Sequence, residues 1–262
     1  MPDFKEPMFF SYEGKSRPWA VDTWQDYQEL FRDADRFIAR GEASTLYLWH
    51  PHAALNIRRQ MPDARLIAVL RNPVERAFSQ YTFQRLLNME PYDTFEAALA
   101  AEEERQQSST SAFLLYTEIG RYSEQIARYQ TLFPPEQILI VLNEDLQDHP
   151  DQVFSAIFRH IGVDPSFEPN LEQRTNPSGI PKKKALYERL KAGGRKVKGL
   201  IGTEWAMKLS GALDRRYLTR PHVSKDTYNT LLSLFHADIL RTQELIGRDL
   251  SRWLEPMEDT PN

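Results

Sequence analysis

A chain of 262 residues, 41% hydrophobic and 27% charged, is long enough to bury a substantial core and has an ordinary globular composition. Its net charge of −4 gives no reason to expect nucleic acid or a membrane surface as partner, and no apolar run is long enough to span a bilayer. With no cysteine, disulfides, thiolate zinc sites and cysteine nucleophiles are excluded; the composition fits a reducing compartment, and a cytoplasmic location is expected.

The chain opens on Lys5-Glu6-Pro7, in which the proline is expected to hold Glu6 extended, followed by the apolar anchor Met8-Phe9-Phe10. A carboxylate held beside a buried aromatic pair suits a general base, and the competing reading is a solvated loop carboxylate. Gly14-Lys15-Ser16 has the ending of a phosphate loop, but no glycine stands five positions earlier and no strand precedes it, so it is not read as one. Trp24, Tyr27, Leu30, Phe31, Ala34 and Ile38 predict an amphipathic helix from Thr23 to Ala39. Ser44 to Trp49 reads as a short strand, and Ala53 to Gln60 as a short helix. Between them, His50-Pro51-His52 offers two ring nitrogens with no third ligand in sight, and no metal site is expected there.

Leu66 to Leu70 is uniformly apolar, the pattern of a strand buried on both faces in a parallel sheet. A helix start follows at once. Asn72 can cap, Pro73 suits the first helical position, Glu75 completes a capping box, and Val74, Ala77, Phe78 and Tyr81 recur at helical spacing. Arg71 stands where strand hands over to helix, the place where open α/β sheets bind ligands, and Ser79 lies two turns into the helix. A cation and a hydroxyl beside a helix N-terminus make a seat for an anion such as phosphate; an arginine that merely pairs with a neighbouring carboxylate is the alternative.

Farther on, Thr94 to Arg105 reads as one helix with Glu102-Glu103-Glu104 as its solvated face, and Tyr122, Ile126, Tyr129 and Leu132 mark another, stopped by Pro134-Pro135. Gln137 to Leu142 is a third buried strand; Asp145 just beyond it has little support as a magnesium ligand without a phosphate-loop lysine. Val153 to Ile161 is a helix closed by Gly162, and Thr227 to Arg248 is the last helix. Lys182-Lys183-Lys184 is either a solvated helix start or a source of charge for a phosphate. The fold class is therefore α/β, a parallel sheet flanked by helices, in a single domain over 1–262 with 193–226 as a variable basic insertion and 227–254 as the C-terminal helix.

Leu70-Arg71-Asn72-Pro73-Val74-Glu75-Arg76-Ala77-Phe78-Ser79-Gln80-Tyr81 resembles the 3′-phosphate-binding motif of the sulfotransferase family, in its bacterial branch similar to heparan-sulfate sulfotransferase domains. Lys5-Glu6-Pro7-Met8-Phe9-Phe10 is similar to that family's Lys-Glu-Pro-His-Phe-Phe segment. Gly41-Glu42-Ala43-Ser44, Gly120-Arg121-Tyr122, Glu144-Asp145-Leu146, Gly162-Val163-Asp164 and Asp249 to Leu254 resemble further recurring stretches, so that the likeness runs along nearly the whole chain. The resemblance implies a three-layer fold like that of the P-loop NTPases and, as donor, 3′-phosphoadenosine 5′-phosphosulfate, with no metal. Arg71 and Ser79 would hold the donor's 3′-phosphate, Lys182 and Lys183 would close over the nucleotide, and Glu6 would be the general base toward a small-molecule or carbohydrate acceptor. Met8 and Ala43 depart from the family's usual His and Lys. The family's first strand and its Pro-Lys-Ser-Gly-Thr-Thr loop, which belong ahead of Met1, are not in the sequence. The alternative implied by that departure is a remnant that binds only adenosine 3′,5′-bisphosphate.

Overall fold

The structure is a computed structural model and describes residues 4–12, 21–108, 111–169, 179–181, 189, 217–219 and 221–258. In chain order the elements are α1 (Phe9–Tyr12), α2 (Trp24–Glu29), α3 (Ala53–Gln60), β1 (Leu66–Leu70), α4 (Pro73–Leu86), α5 (Phe95–Ala100) and α6 (Glu102–Gln107). They continue with α7 (Tyr122–Leu132), β2 (Ile138–Leu142), α8 (Asn143–Asp148), α9 (Pro150–Ile161), β3 (Ile180–Pro181), β4 (Leu218–Thr219) and α10 (Lys225–Ile246). The chain divides into two compact units. The first takes Met1–Asn72, Arg121–Pro169 and His236–Leu254, and the second takes Pro73–Gly120, Asn170–Phe235 and Glu255–Asn262.

In the first unit, β1 and β2 pair in parallel from Leu66↔Ile138 to Leu70↔Leu142. Both are runs of aliphatic side chains, the composition that a pleated, packed surface favours. Parallel pairing needs a long crossover, and more than sixty residues separate the two strands, in place of the two-residue turn an antiparallel pair allows. The core beside them gathers Phe9, Phe10, Val21, Tyr27, Ala53, Ala54, Ile57, Tyr129 and Phe133. Phe9 and Phe10 meet edge to face, ring centres 5.0 Å apart, and each packs on Tyr27, so the predicted N-terminal anchor is a true core element. α9 closes as predicted at Gly162, whose φ of 77° only glycine adopts without strain; Gly162 N–H and Val163 N–H donate to the carbonyls of Arg159 and Phe158.

Several expectations are corrected. Ser44 to Trp49 forms turns in place of a strand, because Tyr47 N–H bonds back to the Ser44 carbonyl and His50 N–H to that of Leu46. The helix predicted to Ala39 stops at Glu29 and continues as successive turns, leaving Ile38 87% exposed. Burial of β1 on both faces holds for Leu70 but not for Ile67 and Val69, which are 39% and 54% exposed.

In the second unit, the predicted 94–105 helix is two short ones. Thr94 caps α5 by accepting from Ala97 N–H. Glu102 is buried, not solvated, because its carboxylate accepts from the backbone N–H groups of Thr117 and Glu118. Glu90, with no exposed side-chain surface, takes a bidentate pair from Arg105 at 2.9 and 2.8 Å and a bond from the Tyr116 hydroxyl at 2.6 Å. Burial pushes the Glu90 carboxyl up, but those hydrogen bonds outweigh it and hold it below the usual carboxylate range. Among the described residues no helix is long and apolar enough to cross a membrane.

Candidate functional site

Arg71 is the residue that follows the last rung of the β1–β2 ladder, so its N-terminal side is set by the pairing of Leu70 with Leu142. Its C-terminal side is set by a side chain from elsewhere: the Tyr122 hydroxyl donates to the Arg71 carbonyl at 3.0 Å. Next to it, the Asn72 side-chain amide reaches the Trp253 carbonyl at 3.5 Å, a long and weak bond. Asn72 is thereby tied to the C-terminal segment, a role the capping expectation did not include; Pro73 does open α4 as predicted.

Tyr122 is the first residue of α7 and is itself fixed. The helix has no capping side chain of its own at Arg121. The carboxylate of Asp238, in the part of α10 that belongs to this unit, takes that place, accepting from Tyr122 N–H at 2.8 Å and from the Ser123 N–H and hydroxyl. The Tyr122 ring lies 6.2 Å from that of Trp253, whose indole N–H donates to the Glu144 carboxylate. Three stretches far apart in sequence, at 121–122, 144 and 253, thus meet around Arg71 and Asn72. Asp145, discounted as a metal ligand, is paired with Arg248 at 2.8 Å.

Glu6 sits in the same unit on a strained segment. Expected to be extended ahead of Pro7, it has φ 56°, and Met8 on the other side of the proline has φ 54°. Left-handed backbone at a non-glycine residue costs on the order of 1–3 kcal/mol, so neighbouring bonds must hold it. They come from the turn at 42–47. Met8 N–H donates to the Ser44 hydroxyl at 3.1 Å, Ser44 donates to Glu42 at 2.9 Å, and Phe10 N–H reaches the Tyr47 hydroxyl at 3.4 Å. The Thr45 hydroxyl donates to the Glu6 carboxylate at 3.3 Å. Burial pushes the Glu42 carboxyl up; hydrogen bonds from Tyr47, Ser44 and Tyr27 pull the other way, and the charge of nearby Glu6 adds to the rise. Burial, and next the charge of Glu42, push the hydroxyls of Tyr27 and Tyr47 far up, so both stay protonated as donors.

Glu6 and Arg71 therefore belong to the first unit, each held by its own set of bonds. Ser79 is a half-buried residue of α4, in the second unit. Lys182 and Lys183 lie outside the described residues. Among the described residues no group of three potential metal ligands forms; the rings of His50 and His52 are 5.8 Å apart, centre to centre. Sequence reasoning missed Asp238 and the role of Ser44. Asp238 had a signal, a lone carboxylate between Phe235, Ile239 and Thr242 on the buried stripe of its helix. Ser44 had none beyond its place in a matching stretch.

Residues 19–189, more than half of the chain, match the sulfotransferase domain family. The chain belongs to that family. A solved sulfotransferase from Alicyclobacillus acidocaldarius superposes with a TM-score of 0.73 at 27% identity, covering 97% of this chain and 87% of that one. Bifunctional heparan sulfate N-deacetylase/N-sulfotransferase 1 of Xenopus tropicalis is 26% identical over 226 residues, 84% of this chain and 24% of that protein. Human bifunctional heparan sulfate N-deacetylase/N-sulfotransferase 3 is 27% identical over 170 residues, 63% of this chain and 19% of that one. The chain spans about a quarter or less of these curated relatives. Family membership supports sulfuryl transfer as the reaction class, and an α/β fold with a parallel sheet is what the structure shows.

Proposed function

We propose that the chain, as one sulfotransferase domain over 1–262, moves a sulfuryl group from 3′-phosphoadenosine 5′-phosphosulfate to a hydroxyl or amine of a small-molecule or carbohydrate acceptor. The observation that carries the reading is Arg71, a guanidinium on a strand end held on both sides, within a motif that resembles the family's 3′-phosphate clamp. The chemistry fits: a planar guanidinium suits a dianionic phosphate, and Ser79 adds a hydroxyl donor. The donor supplies the sulfuryl group, and adenosine 3′,5′-bisphosphate is left behind. Glu6 takes the proton of the acceptor as its oxygen or nitrogen bonds to sulfur, while the bond from sulfur to the 5′-phosphate oxygen breaks and its electron pair stays with the phosphate. Charge building there calls for a cation, and Lys182 and Lys183 are read as closing over the nucleotide. The names of the heparan sulfate relatives support a carbohydrate amine as acceptor. The reading includes a cytoplasmic location and a third layer of the fold over the exposed side of β1, where Ile67 and Val69 offer apolar surface.

The competing reading is a protein that binds the bisphosphate without turnover. Adenosine 3′,5′-bisphosphate is expected to raise the melting temperature, and Arg71→Ala to abolish the rise; no shift in the parent protein removes both readings. Sulfate transfer to amine or hydroxyl acceptors then separates them, since binding without transfer selects the second.

A further inference from the structure

The residue proposed to grip the donor's 3′-phosphate is governed from a distance of more than 160 positions in sequence. Asp238 fixes the first turn of α7 through Tyr122 N–H, Ser123 N–H and the Ser123 hydroxyl. A helix start fixed in this way sets where its first side chain points, and Tyr122 is that side chain. It is only 4% exposed, flanked by the Trp253 ring, and its hydroxyl ends on the Arg71 carbonyl. A hydrogen bond at that carbonyl fixes the peptide plane after Arg71, as the strand ladder fixes the backbone before it. With both planes set, the direction in which the Arg71 side chain leaves the backbone is set too.

We infer that Tyr122 and Asp238 are positioning residues for Arg71, tuning recognition of a ligand's 3′-phosphate through the Asp238–Tyr122–Arg71 chain of hydrogen bonds. Neither residue touches the ligand. The inference rests on the reading of Arg71 given above. It differs from a plain stability role in what it affects: loosening of the fold weakens every nucleotide alike, whereas misdirecting Arg71 weakens only ligands that carry the 3′-phosphate.

The test measures, on the full chain by calorimetry well below the melting temperature, the affinities for adenosine 3′,5′-bisphosphate and adenosine 5′-monophosphate, and takes their ratio. In Tyr122→Phe the lost hydroxyl is expected to cut the ratio about threefold to tenfold, the scale of one hydrogen bond, with monophosphate affinity within about twofold of the parent. Asp238→Asn is expected to cut it by about tenfold, and Tyr122→Phe keeps the test alive should that variant fail to fold. Arg71→Ala is the reference. If it leaves the ratio unchanged, or if the parent itself shows no preference for the bisphosphate, the reading of Arg71 falls and this inference with it. If Arg71→Ala collapses the ratio while Tyr122→Phe and any folded Asp238→Asn keep it, or lower both affinities equally, the inference alone is overturned.

Discussion

Removing one hydroxyl, Ser44→Ala, tests what holds the candidate base in place. Ser44 is 8% exposed and Met8 2%, so in the variant the Met8 N–H loses its acceptor in a place water reaches poorly. A buried donor left without a partner costs about 1–3 kcal/mol. Glu42 loses its bond from Ser44 but keeps those from Tyr47 and Tyr27, which adds little to the loss. Strain works in the opposite direction. Glu6 and Met8, at φ 56° and 54°, each store on the order of 1–3 kcal/mol that is released if the segment relaxes. The loss is therefore capped, and the segment around Pro7 gives way before the fold does. Equilibrium urea unfolding should show a loss of no more than about 1–3 kcal/mol, and amide exchange followed by NMR should show the Met8 N–H exchanging about tenfold or more faster. Ser44→Thr, which keeps the hydroxyl, should restore most of both. If Ser44→Ala lies within about 0.5 kcal/mol of the parent and Met8 exchange is unchanged, the 42–47 turn is not what holds Glu6.

Two further substitutions probe the second unit. Glu90→Gln keeps the shape but strips the charge facing Arg105, whose side chain is only 8% exposed; breaking such a buried pair costs about 3–5 kcal/mol, measured by urea unfolding at neutral pH. Because the folded carboxyl of Glu90 titrates below its ordinary 4.5, its contribution is complete above that pH and drains away as pH falls through the lower folded value, so the variant should lose less stability on acidification than the parent. Parallel acid profiles would refute that assignment. Gly120→Ala would put a methyl 2.9 and 3.0 Å from two carbons of the Phe235 ring, which is fully buried; a loss of about 1–3 kcal/mol and a lower Tm are expected, and a parent-like Tm would mean that the ring yields.

What could be read from the sequence was whatever short-range chemistry decides. The apolar run at Leu66–Leu70, the proline opening α4 and the glycine closing α9 each declare themselves within a few residues, and each lies where expected. The errors came where distant partners override local preference. Ser44 to Trp49 has the composition of a strand, but its polar groups serve the backbone of residues 6–10 and the chain folds into turns to deliver them. Glu102 looked like one of three solvated acids until two N–H groups some fifteen residues on claimed it. For the candidate site, the family resemblance of their motifs pointed to Arg71 and Glu6, and the bonds that hold them in place could not be seen, since Tyr122, Asp238 and Trp253 are brought to Arg71 and Asn72 only by the fold.

The two compact units are interleaved along the chain, which crosses between them at 72/73, 120/121, 169/170, 235/236 and 254/255. Neither is a continuous stretch of gene, so neither can be obtained by cutting the chain once. The same arrangement sets a clock on biosynthesis. β1 leaves the ribosome 72 residues ahead of the strand it pairs with, Leu66 against Ile138. At about 5–20 residues per second, roughly 4–14 s pass before that ladder can form. Closing a loop of that length then costs about 4 kcal/mol of chain entropy before the first rung forms. Nascent chains of this protein thus depend during those seconds on whatever shields Leu66 to Leu70, and stalling between residues 72 and 138 should yield a far stickier product than stalling after residue 142.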